Sequence, residues 1–492
     1  MLKTGKEYLE SIRDGRTIYI GGERVEDVPT HAAFRNAAQS FAMLYDLKAD
    51  PAHHDTMSFA EDGERYSMYY LMPRSRDDLL RRMRAHKLWS DVSYGLLGRS
   101  PDHVASFVTG MAMQPEIFDR HGQGFSGNLL AYYRHLRRND LYVAYAVLPP
   151  AGARNPAFYQ HESRKVPTLR VTAEDAKGVT LNGMKMLATG GVFAHEIWVG
   201  NLLPLGPGQE KESITCAVPV NAPGLSLWSR KPFERYAVTQ FDNPLSSRFD
   251  ETDSMVIFED VKVPWEKVFT HDQVDHSREI YILTAGHCFG NHQSNVRFWS
   301  KLRLLVGLAS RLAQAGGVSE VPAVRETLGR LAAMEAALAG MIYGQCEDYE
   351  TLPNGYVCFN RRYMYAALNW CQENYVPICT TVRELCGGSV FQMPADISVV
   401  NNPALRQTFD DYWSTPTHTA IERMKLYKLA WDLLGSEFGG RHLQYENFYA
   451  GPSFIVRNHS FRECDWEQFH QIVDDLLASY GVPAELSAAV PQ

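Results

Sequence analysis

The sequence predicts an α+β protein in three parts: a helical amino-terminal region, a β-rich centre and a carboxyl-terminal bundle of long helices. Three observations predict it. The chain has 492 residues, past the size at which a single core keeps growing, so several domains or layers are expected. Between about Leu141 and Phe269, helical spacing gives way to short β-rich runs broken by Gly, Pro and Asn. Beyond Thr270, two long amphipathic stretches follow one another across a short glycine turn, the pattern of an antiparallel bundle.

In the first part, Ser75 followed by Asp78 resembles a capping box, and Leu79, Leu80, Met83 and Leu88 fall near helical spacing behind it. A second helix is expected over Asn128 to Leu136, after the glycine-rich Gly122 to Gly127. Strands are expected at Val179–Leu181, Ile197–Val199, Ile214–Val220 and Met255–Val263. In the last part, Leu302, Leu305, Leu308 and Leu312 form one stripe that stops at Gly316 and Gly317. Ser319 and Pro322 then open a second long helix through Met341. Further helices near 365–387 and 421–436 complete the bundle. The expected domains are 1–143, helical; 144–272, β-rich; and 273–492, the helical bundle.

Composition narrows the function. Hydrophobic residues at 45% and charged residues at 22% are ordinary for a globular protein. The net charge of −8 includes no basic block, so no nucleic-acid partner is expected. No apolar run approaches about 18 residues and no signal segment opens the chain, so no membrane partner and a cytoplasmic location are expected. The eight cysteines form no C-x-x-C pair and are expected to be reduced, mostly buried thiols.

Three motifs are set aside. Gly122-Gln-Gly124-Phe-Ser-Gly127 has dinucleotide-loop spacing but follows no β-branched strand. Gly124-Phe-Ser126-Gly127 falls one residue short of a nucleophile elbow, because Asn128 stands where glycine is needed. His271, Asp272, Asp275 and His276 lack metal-site spacing and are expected to form a solvated loop, so no metal is expected.

Several collinear segments carry more information: Thr4 to Arg16, Gly98-Arg99-Ser100-Pro101-Asp102, Pro244 to Arg248, Val263 to Phe269, Gly435 to His442, and Tyr445-Glu446-Asn447. Together they resemble the 4-hydroxyphenylacetate 3-monooxygenase oxygenase-component family. The resemblance implies an acyl-CoA dehydrogenase-like fold whose central domain is a β-barrel, and a homotetramer. It also implies FADH2 (or FMNH2) supplied by a separate flavin reductase, O2 as co-substrate, and hydroxylation of a small aromatic substrate through a C4a-hydroperoxyflavin. Because NAD(P)H is then consumed on the reductase, the lack of a dinucleotide motif is consistent.

The resemblance also implies roles for residues. Arg99 matches an arginine near the flavin and the phenolic oxygen, where a fixed cation favours phenolate. Four residues on, many members have a tyrosine where this chain has His103, a candidate acid or base. The family's substrate-binding histidine aligns, without a gap from Leu141, onto Tyr145, so the two ring types are exchanged, which changes substituent recognition; a one-residue shift would put Ala144 there instead. For the flavin, the loop after paired prolines maps onto Ala151 to Arg154, where Ala153 replaces an aspartate, and a β-domain threonine maps onto Thr189. Gln293 and Arg297 match a Gln-x-x-x-Arg pair on one helix face. Arg441 and Asn447 complete the expected flavin site.

Neighbouring classes compete. In a 4-hydroxybutyryl-CoA dehydratase-like enzyme, cysteines would stand in the region of Arg99 and His103 and after His292, where this chain has Trp299, and a cluster needs those thiolates. An acyl-CoA dehydrogenase-like flavoenzyme would need a glutamate base over the substrate, and the matched segments argue against it. A non-catalytic scaffold is disfavoured by the retained Arg99, Thr189 and Arg441.

Overall fold

A computed structural model describes residues 2–154 and 165–481 of the chain. The first part is helical as expected, with helices Arg35–Ala49, Arg76–Val92, Pro101–Ala112 and Phe125–Asn139. Ser75 caps its helix by accepting from the Asp78 N–H. Only half of the capping box forms, because the Asp78 carboxylate accepts from Arg74 N instead. Gly124, at a φ of +76°, is the left-handed residue that opens the helix beginning at Phe125.

The centre holds two sheets. One has six strands in the order Glu23–Val25, Ile18–Ile20, Leu225–Ser229, Asp253–Pro264, Gly178–Thr189 and Arg170–Asp175. The other has four, in the order Val268–His271, Ile214–Pro219, Glu196–Val199 and Val143–Ala146. Residues 18–25, near the amino terminus, therefore pair with the central sheet, through a parallel match of Ile18 to Leu227. An isolated bridge from Leu148 to Met186 links the sheets. The expected β-barrel is corrected: among the described residues the sheets do not close into one. Closure needs continuous pairing of first and last strands, and the edge strands Glu23–Val25 and Arg170–Asp175 each pair on one side only. Trp198 stacks on Phe269 within the smaller sheet, ring centroids 4.8 Å apart.

The bundle is built on Gly286–Ala315, a helix of 30 residues, packed with Pro322–Glu347 and Arg361–Cys386, 26 residues each. Ala420–Leu434 and Glu437–Asn447 lie against it. No helix among the described residues is long and apolar enough to cross a membrane. Seven of the cysteines are buried and all eight are unpaired thiols.

Small residues bring Pro101–Ala112 onto the long helix. A Cβ on Gly110 would lie 2.7 Å from the Ala285 backbone, and one on Gly290 would lie 1.8 Å from the Phe107 ring. The close crossing thus fixes where Phe107 sits. Gly290→Ala is expected to cost about 1–3 kcal/mol through overpacking and to displace the Phe107 ring. An unchanged unfolding midpoint would contradict this packing.

Candidate active site

Arg99 lies in a turn between two helices, and the local sequence dictates that turn. Gly95 takes a φ of +67°, and a Cβ there would meet Arg297 O at 2.4 Å. Leu96 and Leu97 anchor the turn in the core. A Cβ on Gly98 would overlap the Tyr445 hydroxyl at 2.0 Å. Ser100 then precedes Pro101, which begins the next helix with its φ already set. The Arg99 side chain is thereby turned toward a cavity of about 680 Å³ between the sheets and the bundle.

The partners of Arg99 are neutral. Its guanidinium donates to His103 Nε2 at 2.5 Å, to the Tyr449 hydroxyl at 2.6 Å and to the Tyr449 carbonyl at 3.1 Å. It also lies over the Tyr449 ring, 4.1 Å from the centroid, and 5.1 Å from that of Tyr145. Burial disfavours the charge, yet the surrounding Tyr145, Tyr445, Tyr449 and Glu251 raise the Arg99 pKa above the ordinary value. Arg99 is a permanent cation that no carboxylate touches through its side chain among the described residues.

His103 and Tyr145 are brought together, with ring centroids 5.4 Å apart and planes 21° from parallel. Their placements differ. His103 is 1% exposed and sits behind Arg99, whereas Tyr145 lines the cavity and its hydroxyl has no partner among the described residues. A guanidinium only donates, so His103 Nε2 accepts from Arg99 and its proton sits on Nδ1. Burial, and then the Arg99 charge, hold His103 well below the ordinary imidazole value, so it is neutral. In this arrangement the lone pair of His103 is engaged by Arg99.

Two carboxylates that the sequence did not single out organise the other wall. One Glu251 oxygen accepts from the Gly98 and Arg99 N–H groups at 2.8 Å each, and its other oxygen accepts from Arg441 at 2.9 Å. Asp253 pairs with Thr189 across adjacent strands. Its carboxylate accepts from the Thr189 hydroxyl at 2.5 Å, from Arg441 at 2.8 and 3.0 Å, and from Arg230 at 2.8 Å. Burial opposes this charge, but Arg441 and Arg230 hold the Asp253 carboxyl far below the usual range. Thr189, Asp253 and Arg441 all line the cavity with Arg99 and Tyr145.

Arg441 and Tyr445 stand four residues apart on one face of the helix Glu437–Asn447, and Tyr449 follows just beyond its end. Arg441 lies 4.2 Å from the Tyr445 ring centroid. The remaining residues expected for the flavin are dispersed. Gln293 and Arg297, 0% and 1% exposed, point into the helical core. Gln293 donates to Asp102 at 3.2 Å, and Asp102 also holds His86 at 2.7 Å. Arg297 forms a two-pronged pair with Glu446, which Lys301 joins. Burial would raise the Glu446 carboxyl, yet Arg297 and Lys301 hold it at about 2. Asn447 and Ala151 are exposed and outside the cavity lining. The side chain of Arg154 lies outside the described residues.

Of the expected solvated loop, Asp272 and Asp275 are exposed between elements, and the placement of the two histidines is corrected. His271 ends a strand, and His276 begins a helix and is 2% exposed, its ring 5.0 Å from that of His121. Packing of that short helix against the first part buries it.

With this geometry in place, comparison with known proteins gives a consistent answer. The profile described as 4-hydroxyphenylacetate 3-hydroxylase N terminal matches residues 4–270, and its C-terminal counterpart matches residues 277–478. The chain belongs to this family. It is therefore the oxygenase component of a flavin-dependent aromatic hydroxylase. Among 4-hydroxyphenylacetate 3-hydroxylase relatives, the 4-nitrophenol 2-monooxygenase oxygenase component of Rhodococcus sp is 33% identical over 465 residues, 92% of this chain and 87% of the relative. The pyoverdin chromophore biosynthetic protein PvcC of Pseudomonas aeruginosa is 31% identical over 466 residues, 93% and 90% of the two chains. A crystal structure of HpaB complexed with FAD and 4-hydroxyphenylacetate superposes with a TM-score of 0.91 at 29% identity, covering 97% of this chain and 98% of that one. The acyl-CoA dehydrogenase-like fold expected from the sequence is thus the fold observed.

Burial sets the pH response of this interior. His103, His195, His287, His292 and His442 are all held well below the ordinary imidazole value, first by burial and then by neighbouring histidine, lysine and arginine side chains. Above about pH 6.5 these groups are neutral in both states and contribute nothing. Below it, the unfolded chain takes up protons that the folded chain refuses, so stability falls as pH falls. Asp253 and Glu446, depressed on folding, push in the same direction at lower pH. The thermal midpoint is expected to drop from about pH 7 to about pH 5. A constant midpoint over that interval would contradict the assigned protonation states.

Proposed function

We propose that the cavity binds reduced FAD together with a phenol and that Arg99 holds the phenolic oxygen during hydroxylation, ortho to the existing hydroxyl. One observation carries the proposal: Arg99 is a cation without a carboxylate partner at its side chain, facing a cavity whose volume of about 680 Å³ falls in the range of small-molecule sites. Such a charge in a largely apolar enclosure favours the phenolate over the phenol, and phenolate is the more nucleophilic ring.

The residues present fit a flavin. Thr189 offers a hydroxyl beside the strand backbone, Arg441 offers a cation clamped by Asp253 and Glu251, and Tyr445 and Phe448 offer aromatic surface. Reduced FAD, when bound, supplies the electrons that activate O2 for transfer of one oxygen atom to the ring. His103 keeps the Arg99 fork aimed at the cavity. Tyr145 offers its free hydroxyl to the substrate oxygen, the role the family gives to a histidine. Phe107 and Leu148 exclude water from the reacting centre. Gln293 and Arg297 act as positioning residues, since they hold the first turn of the helix that follows Arg99 and the helix of Tyr445 respectively.

A separate reductase supplies the reduced flavin, and small aromatic compounds are the substrates. The HpaB relative complexed with FAD and 4-hydroxyphenylacetate, and the nitrophenol-oxidising relative, both support this class. A homotetramer, in which the exposed Ala151 and Asn447 face flavin bound mainly by another copy, belongs to the same proposal.

Arg99→Ala tests it. With reduced FAD, O2 and p-cresol, the variant is expected to lose product formation by roughly 100-fold or more, and hydrogen peroxide is released instead. Its circular dichroism is expected to stay that of the wild type. Wild-type product yield from this variant would refute the role.

A further inference from the structure

The Arg99 guanidinium has acceptors on two separate elements. His103 Nε2 belongs to the adjoining helix Pro101–Ala112, whereas the hydroxyl and carbonyl of Tyr449 belong to the last part of the chain. Tyr449 lies beyond the end of the helix Glu437–Asn447, where the regular ladder of helical hydrogen bonds has run out. The turn has two backbone bonds of its own, from Phe448 N–H to Gln444 O and from Gly451 N–H to Phe448 O, both at 3.1 Å. Gly451 turns the chain at a φ of +95°. Neither of these two bonds involves Tyr449.

A residue of the bundle clamps this turn from behind. Gln372 is 3% exposed on the helix Arg361–Cys386, and its amide nitrogen donates to Asn447 O at 2.8 Å and to Gly451 O at 2.6 Å. Because both partners are carbonyls, only the NH2 end of the amide can face them, and both of its hydrogens are used. One carbonyl precedes Tyr449 and the other follows it, so a single side chain pins both ends of the segment that carries the Arg99 acceptors. Phe448, Tyr449, Ala450 and Gly451 line the cavity in front of Gln372. One turn back on the same face of the bundle helix, Asn369 donates to Ser460 Oγ at 2.5 Å and holds the next helix, Ser453–Arg462.

We infer that Gln372 is a positioning residue for Arg99: by pinning the Asn447 and Gly451 carbonyls it sets where Tyr449 presents its hydroxyl and carbonyl, and so where the guanidinium points. The inference rests on the proposed meeting of Arg99 with the phenolic oxygen. Buried carbonyls that lose their donor are costly to leave unpaired, and a turn outside the helical ladder shifts to find new partners for them. A displacement of about 1 Å at a group that meets the reacting atoms lowers a rate by roughly 100-fold. Without Gln372 the Arg99 charge stays in the cavity and loses its direction.

Two variants test it: Gln372→Met, of similar length with no N–H donor, and Gln372→Glu, of the same shape but acceptor-only when ionised. With reduced FAD under nitrogen, the absorbance of bound 4-nitrophenol reports its ionisation. Wild type is expected to ionise it at a lower pH than water does, and both variants are expected to raise that midpoint by about one pH unit. With O2, p-cresol and folded enzyme in excess over reduced FAD, catechol formed per flavin oxidised is expected to fall about tenfold or more in both, with hydrogen peroxide making up the difference. In the Arg99→Ala background, Gln372→Met is expected to change the yield by less than about twofold, because no guanidinium remains to be aimed. A wild-type midpoint or a wild-type yield in both variants would overturn the inference, as would an equal fall in the Arg99→Ala background. If wild type itself does not lower the nitrophenol midpoint, the role proposed for Arg99 fails and the inference fails with it. A lowered midpoint that both variants share with wild type removes Gln372 alone.

Discussion

A single buried carboxylate holds the site together. Glu251, 1% exposed, follows the Pro244 to Arg248 segment and precedes a central strand. With one oxygen it fixes the backbone of the turn that carries Arg99, and with the other it fixes Arg441 of the last part of the chain. Three regions far apart in sequence are therefore tied by three hydrogen bonds to one side chain. Removing one partner of such a buried set leaves a charge unpaired, which costs far more than the pair contributes over an apolar replacement. The placement of the turn that carries Arg99 depends on this tie.

The same tie divides the cavity electrostatically. Arg441 shares its charge between Glu251 and Asp253, so its side of the cavity is close to neutral. Arg99 touches Glu251 only through the backbone, and its side chain keeps its full charge against tyrosines and a neutral histidine. In a medium of low dielectric constant, an unneutralised cation stabilises an opposing charge strongly. In the proposed function, a phenolate, or charge developing on a phenolic oxygen, is that opposing charge. His103 and Tyr145 fit this division: the imidazole holds the guanidinium from behind, and the Tyr145 ring lines the cavity.

The three-part organisation was legible because helical and strand periodicities are local. Glycines and leucines at 302–317 marked the long helix, and Arg99, Thr189 and Arg441 stood in recognisable segments. Glu251 and Asp253 were not legible, since the sequence shows only an acidic run at 250–253. Which acid meets Thr189 is fixed by strand register, and register depends on residues across the sheet. Gln293 and Arg297 illustrate a second limit. Their spacing does place both on one helix face, but spacing carries no information about whether that face turns to the cavity or to the core. The strand pairing of residues 18–25 and the openness of the sheets are likewise long-range outcomes. His276 looked solvated because its neighbours are polar, yet the packing of an eight-residue helix buries it.

Family membership fixes the reaction class more firmly than the substrate, because the segments that carry it surround Arg99 and Arg441 rather than the far end of the cavity. The central claim is that this cavity inserts an oxygen atom from O2 into a phenolic ring. It is tested most directly by a single turnover with stoichiometric reduced FAD, p-cresol and isotopically labelled O2, followed by mass spectrometry of the product. The account predicts a catechol carrying one labelled oxygen atom per molecule formed. A catechol labelled instead from water, or consumption of the reduced flavin with no labelled product, would contradict it.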